Sequence, residues 1–316
     1  MTSSRKQARN HHWVSQCYLK WFATPVSKHG MLWVYDFARD KSFKSKPRGV
    51  GAQKDFNRID IPGYPGDAVE TAMSSFENEV ETGIKNVVRT DGFFETNDDF
   101  NIILNFIALL SVRNPMFREQ RRAFRQRVSE QIMDVVLSSP ERYESEMKRA
   151  FEKGAIEQIL PYEQMKDFHR RKEYTFEVAR EGQIRQEFEL QDTVLKTLGN
   201  RPWTIIRSNP DAGEFITCDH PVMLRSSGPE AAGKPLGFGL KMASVIFPLS
   251  KYVCLISDFE IEQRVIQADK VLVGGLNREV VLAAEPQLYA SNDNFRFFDP
   301  ISDLPKTGAD LSSACR

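Results

Sequence analysis

The sequence predicts an α+β fold in which a predominantly helical middle section packs on a mainly antiparallel sheet. Two observations lead to this prediction. Apolar residues recur at helical spacing over about residues 67–199, and short runs rich in β-branched and aromatic residues follow over about 203–298. A similar run at 31–37 is expected to add an N-terminal strand, so that the segment 11–37 joins the C-terminal sheet. We therefore expect one composite domain over residues 1–300 and a flexible tail over 301–316.

The helical section begins at Asp67, which with Glu70 has the form of a capping box. Its apolar stripe recurs every three or four residues from Val69 to Val87. A second helix, starting near Asn97, is apolar around most of its circumference and should be the central buried helix. Pro115 interrupts the pattern, and an arginine-rich helix follows. Further helices are expected at about 141–153 and 183–198.

The sheet section begins after Pro202. Short runs at 203–207, 214–217, 244–247 and 252–256 are separated by turn residues, as an antiparallel meander requires. A return helix is expected at 274–284 and a last strand at 288–290.

Composition narrows the possible classes of function. Lys+Arg and Asp+Glu are equal at 43 each, so the whole chain has no net field toward nucleic acid or a membrane, although a local basic patch is compatible with this. No run has the length of a membrane span, and the N-terminus lacks the apolar segment of a secretory signal. Four scattered cysteines argue against a zinc ribbon or disulfides and favour a cytoplasmic location.

Several common catalytic motifs are missing from the sequence. It contains no GxxxxGK[ST], no GxGxxG after a strand, no HExxH and no GxSxG. The sequence therefore does not favour four classes of enzyme: ATPases, nicotinamide-dependent oxidoreductases, zincins and α/β-hydrolases.

The N-terminal segment carries the first candidate site residues, His11, His12 and Gln16. The two histidines are adjacent and point apart on a regular backbone, so one can face a site. If the residues after Trp13 are helical, His12 and Gln16 share a face at i and i+4. The alternative, equally open, is a polar arm that hydrogen-bonds to the sheet.

Asp219 and His220 form the second candidate group, just past a predicted strand, where polar side chains collect at a sheet edge. The carboxylate could act as a general base or bind a metal, and the imidazole could transfer protons. If a divalent metal binds, Asp219 and His12 are the expected ligands, and such a set favours manganese, magnesium or zinc. The alternative is a local turn stabilised by the Asp219 side chain.

Three arginines are candidate anion-binding residues. Arg113 ends the buried helix and could hold a phosphate bidentately, cap the helix, or pair with a carboxylate such as Glu77 or Glu81. Arg118 and Arg122 belong to a one-sided basic stripe on the next helix. Such a stripe contacts nucleic-acid phosphates in some proteins and is a solvated, acid-paired face in most.

Residues 11–23 resemble the opening of the mostly bacterial "domain of unknown function 4238" family, which begins with histidines and a Val-Pro-Gln-aromatic-Tyr-Leu run ending in Phe. The stretch 106–115 resembles that family's helix end, and 215–222 is similar to its Thr-Ser-Asp-Asn-Pro block. Ser15, Cys17, Cys218 and His220 depart from the pattern, whereas Asp219 agrees with it. The likeness spans about 11–289 and implies a family and a fold but no reaction.

Together these residues suggest a hydrolase of the nuclease type, acting on RNA or DNA. Its site would form where His11 and His12 meet Asp219 and His220, with Arg113 as the anion anchor. The alternative is a non-enzymatic module that binds a ligand or a partner protein.

Overall fold

A computed structural model describes residues 9–172, 174, 179–228 and 233–312 of the chain. The described residues divide into two compact units, and the single composite domain over residues 1–300 stays a prediction. The first unit contains the residues up to 114 and those from 180 onward. The second contains residues 115–179. Helical periodicity alone does not mark this boundary, because it continues from the buried helix into a helix that buries none of its residues.

The helices follow the predicted pattern closely. They are α1 (Gln16–Leu19), α2 (Ala68–Arg89), α3 (Asn97–Val112), α4 (Pro115–Val136), α5 (Pro140–Glu152), α6 (Tyr162–Arg171), α7 (Arg180–Gly199) and α8 (Lys270–Ala283). The stripe from Val69 to Val87 and the central buried helix are confirmed as α2 and α3. The capping box is wrong, because the side chain of Asp67 makes no capping hydrogen bond and Glu70 bonds to other residues.

The strands are β1 (Asn10–His12), β2 (Leu32–Asp36), β3 (Lys41–Ser45), β4 (Ala52–Lys54), β5 (Trp203–Arg207), β6 (Thr217–Cys218), β7 (Met223–Ser226), β8 (Ala243–Ser250), β9 (Val253–Ser257), β10 (Arg264–Gln267), β11 (Gln287–Ala290), β12 (Arg296–Phe298) and β13 (Pro305–Thr307). They form a five-stranded sheet, β10-β5-β9-β8-β7, and a four-stranded sheet, β3-β2-β11-β6. The pairs β1–β4 and β12–β13 each form a separate two-stranded sheet. Every pairing is antiparallel except β5 with β10.

The N-terminal strand joins C-terminal strands, as predicted, with Val34 of β2 opposite Tyr289 of β11. The C-terminal strands are divided between two sheets, and β2 joins the smaller one. The α+β class with a mainly antiparallel sheet arrangement is confirmed.

The flexible tail expected over 301–316 stays a prediction, and of this segment the structure describes residues 301–312. Strand β13 pairs with β12, and Thr307 forms a capping box with Asp310. The Lys306 ammonium lies 2.6 Å from the Asp299 carboxylate. Three-residue strands are too short to produce a recognisable alternation in sequence, so the pairing was not predicted.

Tyr18 fixes the N-terminal segment to the core of the first unit. Its side chain is fully buried, and its hydroxyl donates to the carbonyl of Pro248 at 2.6 Å and lies 2.7 Å from Oγ1 of Thr217. Its ring stacks on Phe247, with 5.3 Å between ring centroids. Since Pro248 belongs to β8 and Thr217 to β6, this residue connects the two larger sheets. Val14, Leu19 and Phe22 of the same segment are also fully buried in this core.

The second unit consists of α4, α5 and α6. The Tyr143 hydroxyl donates to the carbonyl of Leu160 at 2.8 Å, and the Tyr162 hydroxyl donates to that of Leu137 at 2.9 Å. Nε2 of His169 lies 2.7 Å from the Asp134 carboxylate. These bonds tie the three helices together.

Within the described ranges, no single helix is both long and apolar enough to cross a membrane, although α3 and α4 taken together meet the same length and composition test.

Candidate functional site

His11 and His12 lie on β1, which pairs with β4. Adjacent strand residues point to opposite faces, as predicted for the two histidines. The predicted shared face of His12 and Gln16 is wrong, because the strand ends at His12 and α1 begins at the half-buried Gln16. Ser15 separates them and caps α1 by accepting a hydrogen bond from the Cys17 backbone N–H.

His11 is almost completely buried and takes part in a closed hydrogen-bonded network. Its Nδ1 accepts a hydrogen bond from the backbone N–H of Asn57 at 2.9 Å and lies 4.0 Å from a carboxylate oxygen of Glu70. The nitrogen that faces this network is therefore already bonded. His11 is thus bonded to the loop that follows β4, and its role in catalysis stays a prediction.

His12 differs, because its Nε2 is buried and has no hydrogen-bond partner among the described residues. Burial lowers the pKa of its imidazole, and the positive charge of Arg113 acts in the same direction. A hydrogen bond with the Arg48 carbonyl and the charge of Glu70 oppose this shift of the pKa without cancelling it. An imidazole with a lowered pKa and a free ring nitrogen is suited to accept a proton.

Arg113 is buried at the C-terminal end of α3, where its backbone N–H bonds to the Leu109 carbonyl. Its Nε donates to Oδ1 of Asn57 at 3.3 Å, and its Nη2 donates to Oε1 of Glu70 at 3.4 Å. The Asn57 side-chain amide donates to the same Glu70 oxygen. Arg113 thus pairs with a carboxylate, as one alternative predicted, and the ion pair seen at 3.4 Å is with Glu70.

Glu77 lies close to this network and was not among the predicted site residues. Burial raises the pKa of its carboxyl, while a hydrogen bond with Ser15 and the charge of Arg113 oppose the shift. Glu70 and Glu77 are two turns apart on α2, on the same face and at the edge of the apolar stripe. Two carboxylates at i and i+7 beside a stripe are the sequence signal that could have identified both residues.

Asp219 follows β6 and is buried, with 2% of its surface exposed. Its Oδ1 accepts a hydrogen bond from the backbone N–H of Glu285 at 2.6 Å. Its own backbone N–H donates to the Gln287 carbonyl at 3.0 Å. The carboxylate therefore anchors the chain that leads from α8 into β11.

His220 presents a second buried ring nitrogen. Its Nε2 lies 3.0 Å from Oδ1 of Asn114, while its Nδ1 has no hydrogen-bond partner in the described part of the chain. The nearest acid contact of that Nδ1 is Oδ1 of Asp219 at 3.6 Å, which is beyond hydrogen-bond distance.

Residues next to His12 and next to Arg113 link the N-terminal segment with the Asp219–His220 turn. Trp13, the neighbour of His12, donates from its indole nitrogen to the Asp219 carbonyl at 3.3 Å. The positive charge of Arg113 lowers the pKa of His12. Asn114, the next residue in the chain, contacts His220. We refer to His12, His220, Arg113 and Asn114 as the histidine site.

Arg118 and Arg122 lie on α4 of the second unit. Arg122 donates from Nε and Nη2 to the two carboxylate oxygens of the exposed Glu119, at 2.8 and 2.6 Å. This pairing is what a solvated helix face shows. Anion binding by these two residues stays a prediction.

A divalent metal with Asp219 and His12 as ligands also stays a prediction. Among the residues that the structure describes, no three His, Cys, Asp or Glu side chains are grouped as metal ligands.

The lowered pKa of His12 gives a prediction for stability against pH. In the unfolded chain, the His12 imidazole binds a proton as the pH falls below 6.5, its ordinary pKa. In the folded protein it binds that proton only at a lower pH. Between the folded and the unfolded pKa of His12, the unfolded state holds more protons than the folded state. The free energy of unfolding therefore decreases as the pH falls through this interval, by up to about 1.4 kcal/mol per pH unit. The stabilisation is fully present above pH 6.5.

His12→Gln should remove this contribution, which is measured by urea unfolding of both proteins between pH 5 and 8. Glu77 contributes a slope of opposite sign, because its raised pKa makes the folded protein hold the extra proton. That slope is shared by both proteins and cancels in the comparison. Parallel curves for wild type and His12→Gln would contradict the assignment.

The model of one family, described as "Protein of unknown function (DUF4238)", matches residues 10–294. No curated protein and no solved structure matches the chain.

Proposed function

Since the chain belongs to the DUF4238 family, which is described as one of unknown function, we propose from the site geometry that it is a hydrolase of the nuclease type that cleaves phosphodiester bonds in RNA or DNA. The observation that carries the proposal is the pair of buried ring nitrogens, Nε2 of His12 and Nδ1 of His220, left without partners among the described residues. Buried polar atoms are nearly always bonded, so each exception needs a reason, and a catalytic role is one such reason.

His12 is the general base of the proposed reaction. Its lowered pKa keeps the imidazole neutral near pH 7, so that Nε2 can accept the proton of an attacking water or sugar hydroxyl. The attacking oxygen then forms a bond to phosphorus as it loses that proton.

His220 is the general acid, which gives a proton to the leaving oxygen as the phosphorus–oxygen bond breaks. Asn114 fixes the orientation of the ring through Nε2, and the Asp219 carboxylate lies 3.6 Å from the opposite nitrogen, Nδ1. Asp219 is a positioning residue in this scheme, because its Oδ1 is already bonded to the Glu285 backbone.

Arg113 supplies the positive charge for the phosphoryl group. A guanidinium in a buried site stabilises the charge that develops on phosphoryl oxygens. Two of the bonds that hold Arg113, those to Glu70 and Asn57, measure 3.4 and 3.3 Å, which is long for hydrogen bonds. A phosphate can displace contacts of this length more readily than a short bidentate pair.

Access to the site requires a local movement. The free nitrogens of both histidines are covered in this conformation. Trp13 follows His12 in the chain and donates from its indole to the Asp219 carbonyl, so it is in contact with the turn that carries His220. Displacement of this indole is therefore the opening motion that the proposal requires.

The test is cleavage of labelled single- and double-stranded RNA and DNA, with a chelator and then with magnesium, manganese or zinc. His12→Ala and His220→Gln should each lower the rate about 10²–10⁴-fold, the usual contribution of a proton-transfer group. His29→Ala, which alters an exposed histidine of the same chain, is the matched control and should cleave at the wild-type rate.

No cleavage of any of these substrates by the wild-type protein, with or without metal, would refute the proposal. Equal rates for the wild type and the His12 and His220 variants would refute it as well, provided that the melting curves show folded proteins.

The alternative is a non-enzymatic binding module in which these polar residues stabilise the fold. The observation that favours it is the closed bonding of His11 with Asn57 and of Asp219 with Glu285. Under this alternative Asp219→Ala lowers the melting temperature sharply, while no substrate is cleaved by any variant. Cleavage that depends on His12 separates the two functions whatever the melting temperature of Asp219→Ala.

A further inference from the structure

The first unit also contains an apolar groove of about 770 Å³, separate from the histidine site. Helices α2 and α7 form its walls, and α3 packs against both of them and contributes to the floor. We infer that this groove binds an amphipathic helix of a partner protein, and that this helix carries basic residues along one flank.

The spacing of the lining residues indicates a helical occupant. On α2 the lining residues Val69, Met73 and Phe76 stand at i, i+4 and i+7, which is one face over two turns. On α7 Ile184 and Phe188 repeat at i and i+4. Two ridges with this spacing on either side of a groove can receive the side chains of another helix at the same spacing.

Large apolar side chains remain uncovered at the groove. Phe188 is 43% exposed and Ile61 is 42% exposed, although both line the same concave surface. Isolated apolar residues are common on protein surfaces, but a contiguous and concave apolar surface marks a binding site.

The acidic residues along the rim of the groove favour a basic partner. Glu181, Glu189 and Asp192 lie along the α7 side, against one cation, Arg185. Three negative charges and one positive charge leave a net charge of −2. Arg185 lies 3.9 Å from the Glu189 carboxylate, so its charge is locally balanced. This rim attracts lysine and arginine and repels acidic peptides and nucleic-acid phosphates.

The groove wall is also fixed in place before any partner binds. The backbone N–H of Asp60 donates to the Glu181 carboxylate at 2.7 Å, which joins the loop carrying Ile59 and Ile61 to the start of α7. A preformed groove loses less conformational entropy when it binds a partner.

The test uses a labelled synthetic helix of about five turns, with leucine at i, i+3, i+4 and i+7 and lysine along one flank, in fluorescence anisotropy. The control peptide has glutamate in place of each lysine. The basic peptide should bind at least about tenfold more tightly, and the difference should shrink as salt is raised. Asp192→Lys should reduce the preference for the basic peptide.

Phe188→Ala should weaken binding about tenfold or more, because an exposed aromatic side chain that lines a groove is a common anchor for a partner. Phe151→Ala is the matched control, since Phe151 is 49% exposed on the second unit. Both positions are exposed, so both variants should fold, which circular dichroism verifies.

Equal affinity for the two peptides, or no binding of either, would overturn the inference. Peptide affinity unchanged in Phe188→Ala would overturn it too. A dimer detected by light scattering and abolished by Phe188→Ala would show that a second copy of the chain occupies the groove, which also contradicts the proposed partner. None of these results depends on the cleavage assay.

Discussion

Replacing Arg113 with alanine should lower the free energy of unfolding of the first unit by about 3–5 kcal/mol, as expected when one partner of a buried ion pair is removed. The Arg113 side chain bonds to Asn57 and to Glu70, and all three lie where α2, α3 and the loop after β4 meet. Its removal leaves the Glu70 carboxylate without its cation in a largely buried position. The measurement is urea unfolding followed by circular dichroism.

Two comparisons make this test specific. Arg39→Ala changes an arginine whose side chain is 66% exposed, and its effect should stay within about 0.5 kcal/mol. The double variant Arg113→Met with Glu70→Met removes both charges and should be clearly more stable than Arg113→Ala, since no unpaired charge remains. A loss below about 1 kcal/mol for Arg113→Ala would mean that water already reaches the network.

Replacing Tyr18 with alanine should cost about 3–5 kcal/mol, the range for a large buried aromatic side chain. The ring is fully buried, stacks on Phe247 and also contacts Phe106. The smaller change Tyr18→Phe keeps the ring and removes the hydroxyl that contacts Thr217 and Pro248, and it should cost about 1–3 kcal/mol.

Tyr64→Ala is the control for this position, because Tyr64 is 66% exposed and should affect stability by less than about 0.5 kcal/mol. Thermal and urea unfolding measure all three variants. If Tyr18→Ala were as stable as the wild type, the N-terminal segment would not be part of the core. The docking of His11 and His12 beside α3 would then lose its structural basis.

Regular elements with long periodic patterns were predictable from the sequence. The stripe of α2 and the apolar circumference of α3 extend over several turns, so tertiary contacts do not override them. The strand at 31–37 was likewise visible as β2, although its pairing with β11 depends on contacts across 250 residues of chain. Three-residue strands such as β1 and β13 have no comparable signal.

The candidate site was only partly predictable, because its polar contacts are long-range. Arg113 was recognised as a site residue, but its partner Glu70 is 43 positions away and resembled a capping-box residue. Whether Glu70 caps α2 or pairs with Arg113 depends on the approach of α3, which no local pattern encodes. For the same reason the contact of Asn114 with His220 is not predictable from the sequence, since the two residues are 106 positions apart.

The central claim is that His12 and His220 act together at one site, and a double-mutant cycle of cleavage rates tests it most directly. Rates are measured for the wild type, His12→Ala, His220→Gln and the double variant on the best substrate. Groups that act as a unit are strongly non-additive, so the double variant should be about as slow as the slower single variant. Independent losses that multiply in the double variant would contradict a shared site.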